Sequence, residues 1–209
     1  MLTRCPLRGS PQGKIVGQSW PERVAALEGA SWTFEASGIG GQTSTPIVDR
    51  YLTYPSSNTA ARVVAPWFGN NDPTNRQIVV DNYERVIERA LADGAERVIL
   101  IGLINRSGYE SSQATIDTVQ GHHDFINDGL AQLASSNPQV FYADIRSWFQ
   151  NPVNYPNDSL TVDDLSDIDR GIIPRGMRDD PTSPSSTHLG PSGAAHLACY
   201  IRTFLPSRL

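Results

Sequence analysis

Three short segments of the chain contain residue types that could stabilise an oxyanion and move a proton. Residues 38–44 read GIGGQTS, and the glycines let backbone N–H groups approach a ligand because no Cβ blocks the way. Residues 67–72 read WFGNND, in which an asparagine amide could donate hydrogen bonds to a developing oxyanion. Residues 187–193 read THLGPSG, in which His188 could act as a general base.

Each of these segments, taken alone, also has a simpler interpretation. The glycines of 38–44 are typical of a tight turn, and they match neither the phosphate-binding P-loop nor the dinucleotide fingerprint. The second segment is typical of an Asx turn in which Asp72 caps the following helix. A lone histidine such as His188 is more often structural than catalytic, so the chemistry depends on the three segments acting together.

The elements that must position these segments follow the alternating pattern of an α/β fold. Short β-rich runs alternate with amphipathic stretches, which predicts a parallel sheet with helices on both faces. The third run is nearly all apolar, as expected of a central strand that is buried on both sides. The predicted strands are 31–37, 62–67, 97–104 and 139–145.

Helix-start signals and apolar residues at helical spacing lie between these predicted strands. Ser19 with Glu22, and Thr74 with Gln77, have the spacing of capping boxes and predict two helix starts. The apolar periodicity predicts helices over 21–27, from Thr74 to Asp93, over 113–135 and over about 193–204. The segment 151–190 is rich in proline and aspartate, and it predicts a long loop with at most one short helix.

The composition limits the classes of function. With 39% apolar and 19% charged residues, the 209-residue chain has enough apolar content for one core, so a single domain over 1–209 is expected. The formal charge of −5 argues against a nucleic-acid partner, and no apolar run reaches the roughly 18 to 20 residues of a membrane span. The opening MLTRCPLRG lacks an apolar core, so no standard signal peptide is expected.

In order and spacing, these segments resemble the SGNH (GDSL-like) hydrolase family. The resemblance rests on GIGGQTS, on GNND and on the His-Leu pair before the last helix, and it extends to GQSWPE at 17–22. It implies a three-layer α/β sandwich with about five parallel strands in flavodoxin-like order. It also implies a cofactor-free serine esterase or deacetylase. No broad apolar lid is evident, so small acyl groups on carbohydrate are the expected substrates.

The family's site residues map onto this chain position by position. The resemblance implies that the backbone N–H of Gly41 and the side chain of Asn71 form the oxyanion hole. It implies that His188 is the general base and Ser10 the nucleophile, in the turn after a first strand LTRCPL at 2–7. No metal ligand is implied.

Two departures from the family pattern affect the ends of the chain. Gly9 stands where the family has an aspartate before the nucleophile, and Ser185 stands where it has the acid three residues before the histidine. We expect Asp180, or Asp179, to fold back and orient the imidazole of His188. The same departures leave open a dyad enzyme, or a catalytically retired module that binds carbohydrate or assists assembly.

The remaining polar clusters are expected to be structural. His122, His123 and Asp124 lie on a predicted helix without a third ligand at metal spacing, so solvent-facing side chains are expected. The aspartates of 158–169 lack EF-hand spacing and are expected to form a solvated acidic loop. Cys5 and Cys199 lie at opposite ends of the chain and are expected to be half-buried thiols rather than a disulfide.

Overall fold

A computed structural model of the chain describes residues 20–28, 38–54, 61–72, 75–155 and 160–206. Ser10, Gly9 and Cys5 lie outside these residues, as do the strands predicted in LTRCPL and over 31–37.

The described residues form a parallel sheet of three strands in the order β1-β2-β3. Strand β1 is Val63–Val64, β2 is Arg97–Ile101 and β3 is Val140–Ala143. Val64 is paired with Val98, and Ile101 is paired with Ala143. Residues 98–101 have no solvent exposure, which confirms that the nearly all-apolar run is a central strand.

Helices connect and cover these strands. Helix α4 (Gln113–Ser135) has the bounds that its apolar periodicity predicts, whereas α2 (Ser44–Thr53) and α5 (Ile145–Gln150) are additional to the predicted helices. Helix α3 (Arg76–Ala92) is capped by Asn75, whose Oδ1 accepts from the Ile78 N–H at 3.2 Å, and the predicted cap Thr74 lies outside the described residues. The helices are α1 (Trp20–Glu28), α2 (Ser44–Thr53), α3 (Arg76–Ala92), α4 (Gln113–Ser135), α5 (Ile145–Gln150), α6 (Val162–Asp169) and α7 (Pro191–Arg202), with 3-10 turns at Pro152–Asn154 and Arg175–Met177.

The sheet has a separate apolar core on each face, because successive side chains of a strand point to opposite sides. Val98 and Leu100 pack into one core with residues of α2, α3 and α4. Ile99 and Ile101 pack into the other core with residues of α5, α6 and α7. This arrangement confirms the three-layer α/β fold.

The described part of the segment 151–190 contains more regular structure than its composition predicts, namely one α-helix and two 3-10 turns. Asp164 and Asp167 are buried, so the expectation of a solvated acidic loop is wrong for these two residues. Asp164 accepts from the Gly176 N–H at 2.7 Å, and Asp167 accepts from the backbone N–H of Arg175 at 2.9 Å and from its guanidinium. The two carboxylates are buried because they bind the following 3-10 turn.

Two further expectations are wrong for single residues. His123 is only 4% exposed and therefore does not face solvent. Cys199 is disulfide-bonded and is therefore not a thiol. Within the described ranges, no helix has both the length and the apolar composition that crossing a membrane requires.

Candidate functional site

The loop before α2 carries the predicted oxyanion donor Gly41. Gly41 is exposed and has a φ of +79°, a left-handed conformation that favours glycine. The Gln42 N–H donates to the Ile39 carbonyl at 3.5 Å and closes the turn. The backbone conformation at position 41 therefore favours glycine, in addition to the predicted role of its N–H in the oxyanion hole.

The loop after β1 carries Asn71 and lies against the loop of Gly41. Asn71 is exposed, and its Nδ2 donates to the carbonyl of Gln42 at 3.1 Å. Gly69 has a φ of +113°, and a Cβ placed on it would lie 2.9 Å from the side chain of Val79. The structure thus brings Asn71 next to the residue that follows Gly41.

A buried polar cluster that the sequence analysis did not identify holds these two loops together. Both carboxylate oxygens of Asp72 accept from the Ser44 N–H, at 2.9 and 3.2 Å, and one also accepts from the Ser44 Oγ at 2.7 Å. The Asn82 Nδ2 donates to the same Oγ at 2.9 Å. Asp72 therefore caps α2, where the positive end of the helix dipole favours an anion, and not the helix that follows it.

The loop that carries His188 is joined to an earlier part of the chain. His188 is exposed, its carbonyl accepts from the Asp179 N–H at 3.0 Å, and Arg178 and Leu189 form an antiparallel bridge. The Gly190 N–H donates to the Met177 carbonyl at 2.9 Å. These bonds fix the backbone on both sides of His188 just before α7.

Arg178 connects the loop of His188 to the loop that follows β2. Its guanidinium is buried and donates to the carbonyls of Ser107 at 2.9 Å and Ile173 at 3.1 Å, and also to the carbonyl of Ser186. Burial lowers the pKa of Arg178. Three backbone carbonyls from separate turns therefore depend on one side chain.

The predicted acids lie in the same unit as His188, but their side chains have other partners. The Asp180 Oδ1 accepts from the backbone N–H and the Oγ1 of Thr182, at 2.9 and 2.6 Å. These hydrogen bonds lower the pKa of Asp180. The Asp179 carboxylate accepts from the Ser186 Oγ. Among the described residues, both carboxylates bond to groups other than the imidazole of His188.

The loop of Asn71 follows the carboxyl end of a parallel strand, which is where α/β proteins bind their ligands. The loop of Asn71 follows β1, and Gly69 in that loop lies close to Leu103, which follows β2. A Cβ on Gly108 would lie 2.0 Å from the Pro184 carbonyl oxygen, so the loop after β2 packs against the segment before His188.

One further cleft is lined by none of the predicted site residues. A polar cleft of about 430 Å³ lies between α4 and α5, and neither Gly41, Asn71, Asp180 nor His188 lines it. In the part of the chain that the structure describes, no group of three or more His, Cys, Asp or Glu side chains is placed to hold a metal ion.

Comparisons with known proteins give a family match and a fold match. The sequence model of the GDSL-like Lipase/Acylhydrolase family matches residues 8–196, a range that includes every predicted site residue. The solved structure of a candidate platelet activating factor from Streptococcus pneumonia superposes with a TM-score of 0.58 at 16% identity. The match covers 88% of this chain and 77% of that one. No curated protein matches the chain.

Proposed function

The chain belongs to the GDSL-like lipase/acylhydrolase family, a family of ester hydrolases, and we propose that it is a serine esterase or deacetylase. The proposed reaction removes small acyl groups from acetylated carbohydrate through an acyl-enzyme. The proposed catalytic residues are Ser10, His188 and Asp180, and the proposed oxyanion hole contains Gly41 and Asn71.

The contact between Asn71 and Gln42 is the observation that carries this proposal. A side-chain amide has two N–H groups. One N–H of Asn71 is held on the Gln42 carbonyl at 3.1 Å, and this bond fixes the orientation of the amide. In the proposed site the other N–H, together with the backbone N–H of Gly41, stabilises the oxyanion. Fixed donors stabilise developing charge without reorganising during the reaction.

The proposed mechanism has the usual two halves of serine catalysis. The Oγ of Ser10 attacks the ester carbonyl while His188 takes the hydroxyl proton, and the oxyanion is bound by Gly41, Asn71 and the backbone N–H of Ser10. Collapse of the tetrahedral intermediate breaks the ester bond, and the imidazolium of His188 protonates the departing alcohol. Water then gives a proton to His188 while its oxygen adds to the acyl carbonyl. Collapse of this second intermediate breaks the bond to the Ser10 Oγ, which takes the proton back from His188, and the acid is released.

The proposed orienting acid is Asp180, with Asp179 as the second candidate. The Asp179 N–H donates to the His188 carbonyl at 3.0 Å, so Asp179 lies beside the histidine backbone and Asp180 is the next residue in the chain. In the proposed active state, the Asp180 carboxylate exchanges its bonds to Thr182 for one to the imidazole. An oriented imidazole is the function that this acid serves in such triads.

The nucleophile is tested with a fluorophosphonate probe, which reacts with an activated serine. We expect the wild-type protein to be labelled at Ser10, the Ser10→Ala variant to remain unlabelled, and the exposed-serine control Ser192→Ala to label like wild type. Labelling of Ser10→Ala to the wild-type level would contradict the assignment. A panel of short p-nitrophenyl esters and acetylated polysaccharides then identifies the acyl group and the alcohol.

A non-catalytic carbohydrate-binding or assembly module is the second candidate function. The bonds from the Asp180 carboxylate to Thr182, and Ser185 at the position of the family's acid, favour it. In that case the folded wild-type protein is not labelled and hydrolyses none of the esters, yet it retains acetylated polysaccharide in a pull-down assay.

A further inference from the structure

A cluster of cationic and imidazole side chains lies beside the candidate site. This cationic cluster consists of Arg106 in the loop after β2, His122 and His123 on α4, and Arg146 at the start of α5. The rings of His122 and His123 have centroids 6.0 Å apart. Arg106 follows the carboxyl end of β2, and α5, which carries Arg146, follows the carboxyl end of β3. Helix α4, which carries the two histidines, packs beside β3.

Backbone contacts place Arg106 alongside His123. Asn127 of α4 binds both backbone groups of Leu103, with its Oδ1 2.7 Å from the N–H nitrogen and its Nδ2 3.0 Å from the carbonyl oxygen. The Asn105 Nδ2 donates to the Ile116 carbonyl at 2.8 Å. His123 lies between Ile116 and Asn127 on the same buried face of α4, so the chain leading to Arg106 runs along it.

His123 is buried close to His122, Arg106 and Arg146. It is 4% exposed, and its Nδ1 has no hydrogen-bond partner among the described residues. Burial, together with the smaller effects of the charges of His122, Arg106 and Arg146, lowers the pKa of His123 to about 4. A neutral imidazole still has one N–H that can donate, so this group remains able to bind an anion.

Arg106 has no counter-charge in the part of the chain that the structure describes. Its guanidinium makes no hydrogen bond or ion pair with the described residues. Burial lowers the pKa of Arg106. Arg146, in contrast, pairs with Asp124, and Arg76 donates to the Gly121 carbonyl. Arg106 is half-buried and its guanidinium nitrogens remain accessible to solvent, so an anionic ligand can reach them and pair with the charge.

The cationic cluster lies near the loop of Asn71 and near the segment that carries His188. Arg76, four residues after Asp72, donates to the carbonyl of Gly121 at 3.1 Å, and this contact places the adjacent His122 near the loop of Asn71. On the other side of Arg106, the carbonyl of Ser107 accepts from the Arg178 guanidinium that also binds the segment of His188. A substrate held by the proposed oxyanion hole would therefore lie near this cluster.

We propose that the cationic cluster, with Arg106 as its principal donor, binds a carboxylate or phosphate group carried by the ester substrate. This inference rests on the proposed esterase function, and it names an anionic substrate class, such as an acylated acidic or phosphorylated sugar. A guanidinium binds either group through two parallel N–H bonds, which fixes the orientation of the substrate as well as adding affinity.

Direct binding tests the anion site without requiring hydrolysis. Isothermal calorimetry with glucuronate and with inorganic phosphate should show binding of at least one anion to the wild-type protein. The Kd should rise about tenfold or more in Arg106→Gln and less in Arg106→Lys, since a charged hydrogen bond is lost in the first and one point charge is kept in the second. Binding of neither anion to the wild-type protein, or equal binding to Arg106→Gln, would overturn the inference.

Arg62→Gln is the matched control because it also replaces an arginine by glutamine, but at a position outside the cationic cluster. Arg62 precedes β1 at the opposite edge of the sheet and pairs with the exposed Glu96 at 2.6 Å. This variant should bind both anions like wild type. If Arg106→Gln fails to fold, nuclear magnetic resonance of the wild-type protein decides: the bound anion should raise the pKa of His123, and an unchanged titration would contradict the site.

Kinetics then distinguishes the two sources of negative charge. The assay compares kcat/KM for three acetyl esters, of methyl glucoside, methyl glucuronoside and glucose 6-phosphate. The preferred anionic ester should exceed the neutral one by about tenfold, and Arg106→Gln should reduce that ratio. No preference for either anionic ester would overturn the inference. Anion binding without hydrolysis of any ester would instead contradict the esterase proposal and leave the anion site in place.

Discussion

Asp72 caps helix α2 through Ser44, although the two residues are 28 positions apart in the sequence. The carboxylate accepts from both the N–H and the Oγ of Ser44, and both residues are buried. This contact joins the loop of Gly41 to the loop of Asn71. The proposed oxyanion hole therefore depends on a buried interaction that is not itself part of the chemistry.

Replacing Asp72 by alanine should destabilise the protein and lower its activity. The variant leaves the buried Ser44 N–H without its acceptor, so the free energy of unfolding should fall by about 2 to 4 kcal/mol in urea denaturation. A double-mutant cycle with Ser44→Ala should show a coupling of about 1 kcal/mol or more. Strictly additive losses would mean that the two residues act independently.

Asn71→Ala tests the oxyanion hole with little effect on stability. The side chain is exposed and its bond is to the Gln42 carbonyl, so the free energy of unfolding should change by less than about 1 kcal/mol. Turnover of a small ester should fall by about 10²- to 10³-fold, because one donor to the oxyanion is lost. The neighbouring Asn70→Ala serves as the control, and a wild-type rate for Asn71→Ala would remove it from the site.

The fold was predictable where the signal is local. Helix α4 carries a 3.6-residue apolar stripe over 23 residues, and β2 is an apolar run that begins directly after a charged pair of residues, so each is specified by its own sequence. The predicted site segment GNND likewise lies in the connection between β1 and α3, at the carboxyl end of a parallel strand. The segment GIGGQTS precedes α2 and contacts GNND through Asn71 and Gln42.

Features that depend on distant partners were not predictable. The cap of α2 comes from Asp72, and the burial of His123 depends on the packing of α4 against the loop after β2. Asp164 and Asp167 are buried because they bind a 3-10 turn about ten residues later. No periodicity or composition rule marks such pairs, since each partner alone is a typical surface residue.

The identity of the triad acid is tested by three conservative variants. If Asp180 orients His188, Asp180→Asn should reduce kcat by up to about 10⁴-fold, because the amide cannot stabilise the imidazolium. Asp163→Asn is the control: Asp163 is exposed and pairs with Arg175 at 3.1 Å. Asp179→Asn covers the second candidate acid. Equal rates for Asp180→Asn and Asp163→Asn would refute the placement at Asp180.

Arg178 should be required for the geometry of the His188 loop. Arg178→Met leaves three carbonyls without their donor, so the free energy of unfolding should fall by about 2 to 4 kcal/mol. Arg178→Lys keeps the charge but not the planar fork, and it should lose less stability. Urea denaturation of both variants measures the difference. A larger loss for lysine than for methionine would show that charge and hydrogen bonding are not what the site requires.

His196 should make the protein sensitive to acid. It is 3% exposed, both ring nitrogens lack partners among the described residues, and its ring centroid lies 4.3 Å from that of Tyr155. Burial lowers the pKa of His196 to about 4, whereas an unfolded histidine has a pKa of about 6.5. Between these values the unfolded chain binds more protons, so stability is complete above about pH 6.5 and falls as the pH drops towards 4.

His196→Leu removes this ionisable group while keeping an apolar side chain of similar volume in the pocket. At pH 4.5 the histidine should cost about 2.5 kcal/mol relative to pH 7. The loss of unfolding free energy between these two pH values should therefore be smaller in His196→Leu than in wild type by about that amount. His123 and the carboxylates titrate in both proteins, so their contributions cancel in the comparison. Parallel curves of unfolding free energy against pH would show that His196 is protonated as readily in the folded protein as in the unfolded chain.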